Sequence, residues 1–237
     1  MPPVTPTLLA TLGLGFSLGL LHALDADHLI AVSTLVSGRA SVRRSGAVGL
    51  AWGLGHATSL TTVGVGVIVF QRAVPAALGT WFELGVAVML VVLGGQAIRR
   101  GLARAVVHEH VHAHGGDVHV HRHAHLGGRA RHDGALHAIA HAGRRPFVVG
   151  LVHGLAGSAA LTLTVLGTLS SPGAALAYFA LFGLGSIAGM ASVSALVAVP
   201  LAALGGLRRW LEVAIGGGSV ALGCLTAARV FLVHGPI

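Results

Sequence analysis

The chain contains no lysine. Its permanent cations are fifteen arginines, opposed by seven carboxylates, in 237 residues. Charged residues make up 9% of the sequence, against about 25% in an ordinary soluble domain. So few ions cannot coat a globule of this length, which argues against a soluble enzyme. The one cysteine, Cys224, has no partner in the chain, which excludes a disulfide scaffold. At 54% apolar residues and a mean hydropathy of +0.83, the sequence is too apolar to be disordered. A polytopic membrane protein remains. The formal charge of +8 invites nucleic acid as a partner, but the placement of the arginines accounts for that charge without any.

Six long apolar stretches are present, roughly 7–37, 45–70, 74–98, 146–170, 172–204 and 209–233. Each is near or above the ~20 residues that cross a bilayer as a helix. The apolar stretches show no strand-like alternation of ~10-residue segments, so the expected fold class is all-α, a helical bundle of six transmembrane helices rather than a barrel. Met-Pro-Pro-Val-Thr-Pro at the N-terminus lacks a basic segment, and the first apolar stretch far exceeds a leader, so no cleaved signal is expected. Thirteen arginines fall in the loops after the first, third and fifth stretches, and two lie on the other side. The excess of positive charge on cytoplasmic loops then puts both termini outside and the long central loop in the cytoplasm, in the cell (inner) membrane.

The sequence also repeats. Gly19-Leu20-Leu21-His22-Ala23-Leu24 matches Gly150-Leu151-Val152-His153-Gly154-Leu155. Gly53-Leu54-Gly55 matches Gly183-Leu184-Gly185, and Trp81-Phe82-Glu83-Leu84 matches Trp210-Leu211-Glu212-Val213. Three matches in one register indicate duplication. The expected units are 1–98 and 146–237, three helices each, joined by a cytoplasmic His-rich loop over 99–145. An odd number of helices per unit inverts the second unit in the membrane, an architecture of transporters with a site at the repeat interface.

His22-Ala23-Leu24-Asp25-Ala26-Asp27-His28 carries the chemistry. A charged aspartate at the centre of a membrane helix costs roughly 2.5–3.5 kcal/mol on the insertion scale, and this stretch holds two with no cationic residue beside them. A protonated carboxyl pair bonded to a neighbouring helix would remove that cost but leaves both histidines unexplained. A metal cation accounts for all four. On a regular helix His22, Asp25 and His28 share about 120° of one face and Asp27 points away, so all four reach one ion only if the helix is broken. Imidazole with carboxylate suits Ni²⁺, Co²⁺, Zn²⁺ or Cu²⁺ better than Mg²⁺ or Ca²⁺.

His22…Asp27-His28 within His-Ala-Leu-Asp-Ala-Asp-His-Leu resembles the signature of the nickel/cobalt transporter family, and Leu54-Gly55-His56-Ala57-Thr58 resembles that family's second motif. The resemblance covers about residues 15–65. It implies high-affinity uptake of Ni²⁺ or Co²⁺ and carries His22, Asp25, Asp27, His28 and His56 over as metal residues. The family's later motifs hold carboxylates. Here the corresponding stretches, Leu155–Ala160 and Gly189–Ser194, hold none, so the chain looks like a short, diverged six-helix member.

His153, the repeat mate of His22, joins the candidate metal ligands. A lone histidine in a membrane helix otherwise bridges helices. Thr58, Ser59, Ser158, Thr162 and Ser186 are oxygens for which helix bonding is the preferred reading. Glu83 and Glu212 are expected to pair with nearby arginines. Eleven of the sixteen histidines lie in the central loop, mostly at alternate positions, in His108-Glu109-His110-Val111-His112-Ala113-His114 and His119-Val120-His121-Arg122-His123-Ala124-His125 and at His132, His137 and His141. That tract reads as a metal-binding segment without an ordered fold, losing affinity below about pH 6.5 as imidazole protonates. Glycines spaced four apart permit close helix packing, within the bundle or in a homo-oligomer. The expected function is a secondary transporter for Ni²⁺ or Co²⁺, favouring uptake, with the ion as substrate and no prosthetic group. No enzymatic activity is expected. The alternatives are nickel/cobalt efflux and, in a different class, a membrane haem protein ligated by His56 and His153.

Overall fold

The computed structural model describes residues 6–37, 41–70, 75–103, 106–114, 117–125, 143–156, 171–204 and 207–234. In chain order the helices are α1 (Pro6–His22), α2 (Ala26–Val36), α3 (Val42–Phe70), α4 (Ala76–Leu102), α5 (143–156), α6 (Pro172–Ala203) and α7 (Arg208–His234). Four of them, α3, α4, α6 and α7, are long and apolar enough to cross a membrane, and the bent pair α1–α2 makes a fifth span if taken as one. The expected fourth stretch is helical as far as residue 156, and 157–170 lie outside the described residues.

The first apolar stretch is broken where its polar residues require it. Leu24 N donates to Leu21 O at 2.8 Å and Asp25 N to His22 O at 3.1 Å, a tight turn that ends α1. Asp25 is extended (φ −60°, ψ 146°), and its carbonyl accepts from Leu29 N at 2.9 Å to start α2. The two segments meet at 57°. Asp27 falls in the first turn of α2, where backbone N–H groups and the helix dipole favour a carboxylate. Local sequence sets the other ends too. α6 opens with Pro172 behind Ser171, whose Oγ accepts from Ala174 N at 3.2 Å. α4 opens after Pro75 and closes on Arg99 and Arg100.

Glycines bring the helix backbones together. Successive approaches run in opposite directions along α3 and α6, with Gly49 against Met190, Gly53 against Ile187 and Gly183 against Ala57. They also do so along α4 and α7, with Gly94 against Gly216, Gly101 against Arg209 and Gly223 against Ala87. Along α1 and α6 they run in the same direction, from Gly15 against Tyr178 to Gly189 against the Leu20 carbonyl; between them Gly19 meets the Phe182 carbonyl and Gly185 that of Phe16. The same pair of contacts recurs between α5 and α3, where Gly150 meets the Trp52 carbonyl and Gly55 that of Phe147. Trp52, Val32, Leu90 and Met190 form one buried cluster, and Leu60, Tyr178, Phe179 and Phe182 another. Outward faces stay apolar, as at Leu54, Val88, Leu184 and Leu225, which suits hydrocarbon rather than water.

The central loop corrects the sequence reading. Val106–His114 and Asp117–His125 pair as an antiparallel two-stranded hairpin, β1 and β2, so the chain departs from a purely all-α class there. The physical reason is the alternation itself. Spacing the histidines by two, with valine and alanine between them, is strand periodicity, which composition alone hides. His132, His137 and His141 lie outside the described residues.

Candidate metal centre

The broken span delivers its polar residues to one place. The His28 ring lies 4.4 Å from that of His22, 5.2 Å from His56 and 4.1 Å from His153, centroid to centroid. α1, α2, α3 and α5 therefore each contribute one imidazole. Potential ligand atoms of His22, His28 and His56 lie within 4.8 Å of one another, and so do those of Asp27, His28 and His153. His28 belongs to both groups. His28, His56 and His153 are buried, at 2%, 0% and 2% exposure.

Asp27 ties the cluster together. Its Oδ1 accepts from His28 N at 2.9 Å and lies 2.9 Å from His28 Nδ1, and its Oδ2 is 3.0 Å from His153 Nε2. His153 is thus joined to a residue 126 positions earlier. Asp25 behaves differently. It is exposed and lies outside both groups, with Oδ2 2.7 Å from His22 Nδ1. A carboxylate on Nδ1 fixes the ring and leaves Nε2 for an ion, as in carboxylate–histidine–metal arrangements. Asp25 stands so to His22, and Asp27 to His28.

Four further ring nitrogens have nothing to bond. His28 Nε2, both ring nitrogens of His56 and His153 Nδ1 are buried without a hydrogen-bond partner. Each such group forgoes water at a cost of about 1–3 kcal/mol. Four orphaned nitrogens in one cluster are expensive as packing and useful as ligands. Imidazole with one carboxylate is a donor set for a late first-row divalent ion and a poor one for Mg²⁺ or Ca²⁺.

Aromatic walls that no sequence motif marks enclose the cluster. The Trp52 ring is 5.4 Å from that of His28 and 5.7 Å from His153, and Phe182 lies 5.5 Å from His22. Trp52 stands one helical turn before His56, so helix periodicity from that motif reaches it; Phe182, on α6, had no such signal. Of the hydroxyls, Thr58 bonds Leu54 O at 2.7 Å and Ser59 bonds His56 O at 3.0 Å, both within α3. Ser186 Oγ is buried without a partner, and Ser158 and Thr162 lie outside the described residues. Glu212 pairs with Arg208 Nε at 3.3 Å, whereas Glu83 lies exposed.

A bundle of membrane-length apolar helices enclosing a cluster of imidazoles and a carboxylate is a helical membrane protein with metal-type donors in its interior. The chain is 34% identical over 197 residues to the urease accessory protein UreH of Bacillus sp. (strain TB-90), a match covering 81% of this chain and 78% of that protein. It belongs to the family of that urease accessory protein. No family profile and no solved structure matches the chain.

Proposed function

We propose that the chain is a secondary transporter that takes up a divalent transition metal ion, Ni²⁺ or Co²⁺, through the bundle. The observation that carries this reading is the group of buried, unpartnered imidazole nitrogens around Asp27 at the break of a membrane span. His22, Asp27, His28, His56 and His153 are its ligands, and Asp25 orients His22. Kinship with a urease accessory protein favours nickel between the two metals. A broken helix supports it as well, since irregular backbone at membrane depth is tolerated where it lines a cavity or a path.

The reading includes two inverted units of three spans, 1–98 and 146–237, with both termini outside and the 99–145 loop in the cytoplasm of a cell-membrane protein. The opposed running of α3 with α6 and of α4 with α7 supports the inversion. So does the recurrence of the Gly19–Phe182 contact as Gly150–Trp52, at the register of the sequence repeat. An ion held between α1, α2 and α3 of the first unit and α5 of the second changes its exposure when one unit rocks against the other. Packing disfavours the haem alternative. His28 lies against both His56 and His153, with Trp52 beside it, where a porphyrin bridging those two histidines would have to sit.

Radiometal flux into sealed vesicles of known orientation tests the function. Inward movement of nickel is expected, outward movement alone would replace uptake by efflux, and no movement of either metal would refute the transport reading. Deleting residues 108–141 is expected to preserve flux while changing the metal concentration at which it responds, because in this reading the loop is cytoplasmic and the path is formed by the spans. Complete loss of flux in a correctly inserted deletion would make the loop part of the path.

A further inference from the structure

Three arginines are left unused by the transport reading. Arg100, Arg144 and Arg145 line one end of a cavity of about 540 Å³ between α2, α4 and α5. Arg100 ends α4 and Arg144 begins α5, so the arginines gather at one membrane boundary. Arg100 is held in place: its Nη2 donates to Thr34 O at 2.9 Å and lies 3.4 Å from Ser37 Oγ, while its Nε is buried without a partner. Arg145 Nη2 donates to Gln96 Oε1 at 2.9 Å. Among the described residues, none of the three forms an ion pair with a carboxylate. Apart from Thr34 and Gln96 the rest of the cavity is apolar, and Val92 and Val148 on its wall are about half exposed on the bundle surface.

Glu212, bonded to Arg208, lies near enough to Arg100 to offset part of its charge, but three guanidiniums at one end of the cavity still outnumber it and repel any divalent cation, so this cavity is not a stopping place for the metal. Guanidinium forks match phosphate oxygens in shape and charge. A wall of valines open to the bilayer matches an acyl chain. Basic pockets between membrane helices at the boundary hold anionic headgroups on these terms. We propose that this cavity binds one anionic phospholipid, its phosphate on Arg100, Arg144 and Arg145 and an acyl chain along Val92 and Val148.

The test is native mass spectrometry of the full chain in detergent with added phosphatidylglycerol or phosphatidylcholine. The wild-type chain is expected to retain phosphatidylglycerol and release phosphatidylcholine. The triple variant Arg100→Gln, Arg144→Gln, Arg145→Gln is expected to bind phosphatidylglycerol about a hundredfold more weakly. The exposed pair Arg43→Gln, Arg44→Gln, which lies outside the cavity, is expected to bind it as before. Should the triple variant fail to fold, Val148→Trp keeps every charge, fills the chain groove and is expected to weaken retention as well. Equal retention of the two lipids, or an equal loss in the Arg43 and Arg44 variant, would overturn the proposal. Displacement of the lipid by millimolar inorganic phosphate would also overturn it, by marking a site for soluble anions.

Discussion

Replacing Asp27 with alanine is expected to abolish metal flux while leaving the protein inserted in the membrane, and His22→Ala and His28→Ala are expected to do the same. Among the described residues the Asp27 carboxylate is the one anion in the two ligand groups, and it is bonded to two of their imidazoles. Without it the site loses its negative charge, the ring orientation of His28 and the link to His153. Removing one outer partner of a metal-bound histidine typically costs about 10–100-fold in affinity, and Asp27 is both such a partner and a potential ligand. A loss beyond about a hundredfold in nickel binding therefore follows. Insertion should not suffer, because removing an intramembrane aspartate lowers the cost of crossing the bilayer. Asp27→Asn separates charge from shape: the amide keeps one acceptor but no charge, so flux should fall nearly as far as in Asp27→Ala. Near-normal flux in all three alanine variants would remove the metal path from the first span.

Asp25→Asn offers a graded contrast. Asp25 touches only His22 in the cluster and is more than half exposed. Its loss should weaken binding without abolishing flux, by no more than about the 10–100-fold of a lost outer partner. Titrating nickel into purified wild-type and variant chains reads both effects on one scale. An Asp25→Asn variant as dead as Asp27→Ala would put Asp25 on the ion itself.

Much of this arrangement was legible in the sequence, for identifiable reasons. Two aspartates in an apolar stretch with no nearby cation cannot be ignored at membrane depth, and their angular spacing on a regular helix requires the break seen at Ala23–Asp25. His153 was legible through its repeat mate His22. The separate standing of Asp25 was not, since spacing along a helix cannot say how a carboxylate turns once the helix has ended. The hairpin was obscured by composition: histidine content argued for an unstructured tract while the alternation beneath it was that of a strand. Phe182 was out of reach because it comes to His22 through the packing of α1 on α6, a contact that depends on Gly19 and the Phe182 carbonyl rather than on any motif.

Gly150→Val is expected to eliminate nickel binding by displacing a ligand it does not touch. Gly150 and Gly154 lie four residues apart on one face of α5, against the α3 backbone between Trp52 and Ser59. A Cβ at Gly150 would fall on the Trp52 carbonyl, and one at Gly154 on Ser59 Oγ and the His56 carbonyl. These obstacles are mostly backbone and cannot rotate away, so α5 must move outward. His153 stands between the two glycines in sequence, with Nε2 3.0 Å from Asp27 and its ring 4.1 Å from that of His28. Metal–ligand distances tolerate only about 0.2 Å, so a small shift of α5 takes His153 off the ion. Overpacking of this kind costs about 1–3 kcal/mol in stability, less than the binding lost with a ligand. Gly95→Val is the matched control, because a Cβ at Gly95 meets nothing within 4 Å. Thermal unfolding with and without nickel separates the two effects. Gly150→Val should lower the midpoint modestly and lose nearly all of its nickel-dependent rise, whereas Gly95→Val should keep that rise. A Gly150→Val chain stabilised by nickel as strongly as the wild type would mean that nickel binding does not depend on where α5 holds His153, and His153 would then have no place among the ligands.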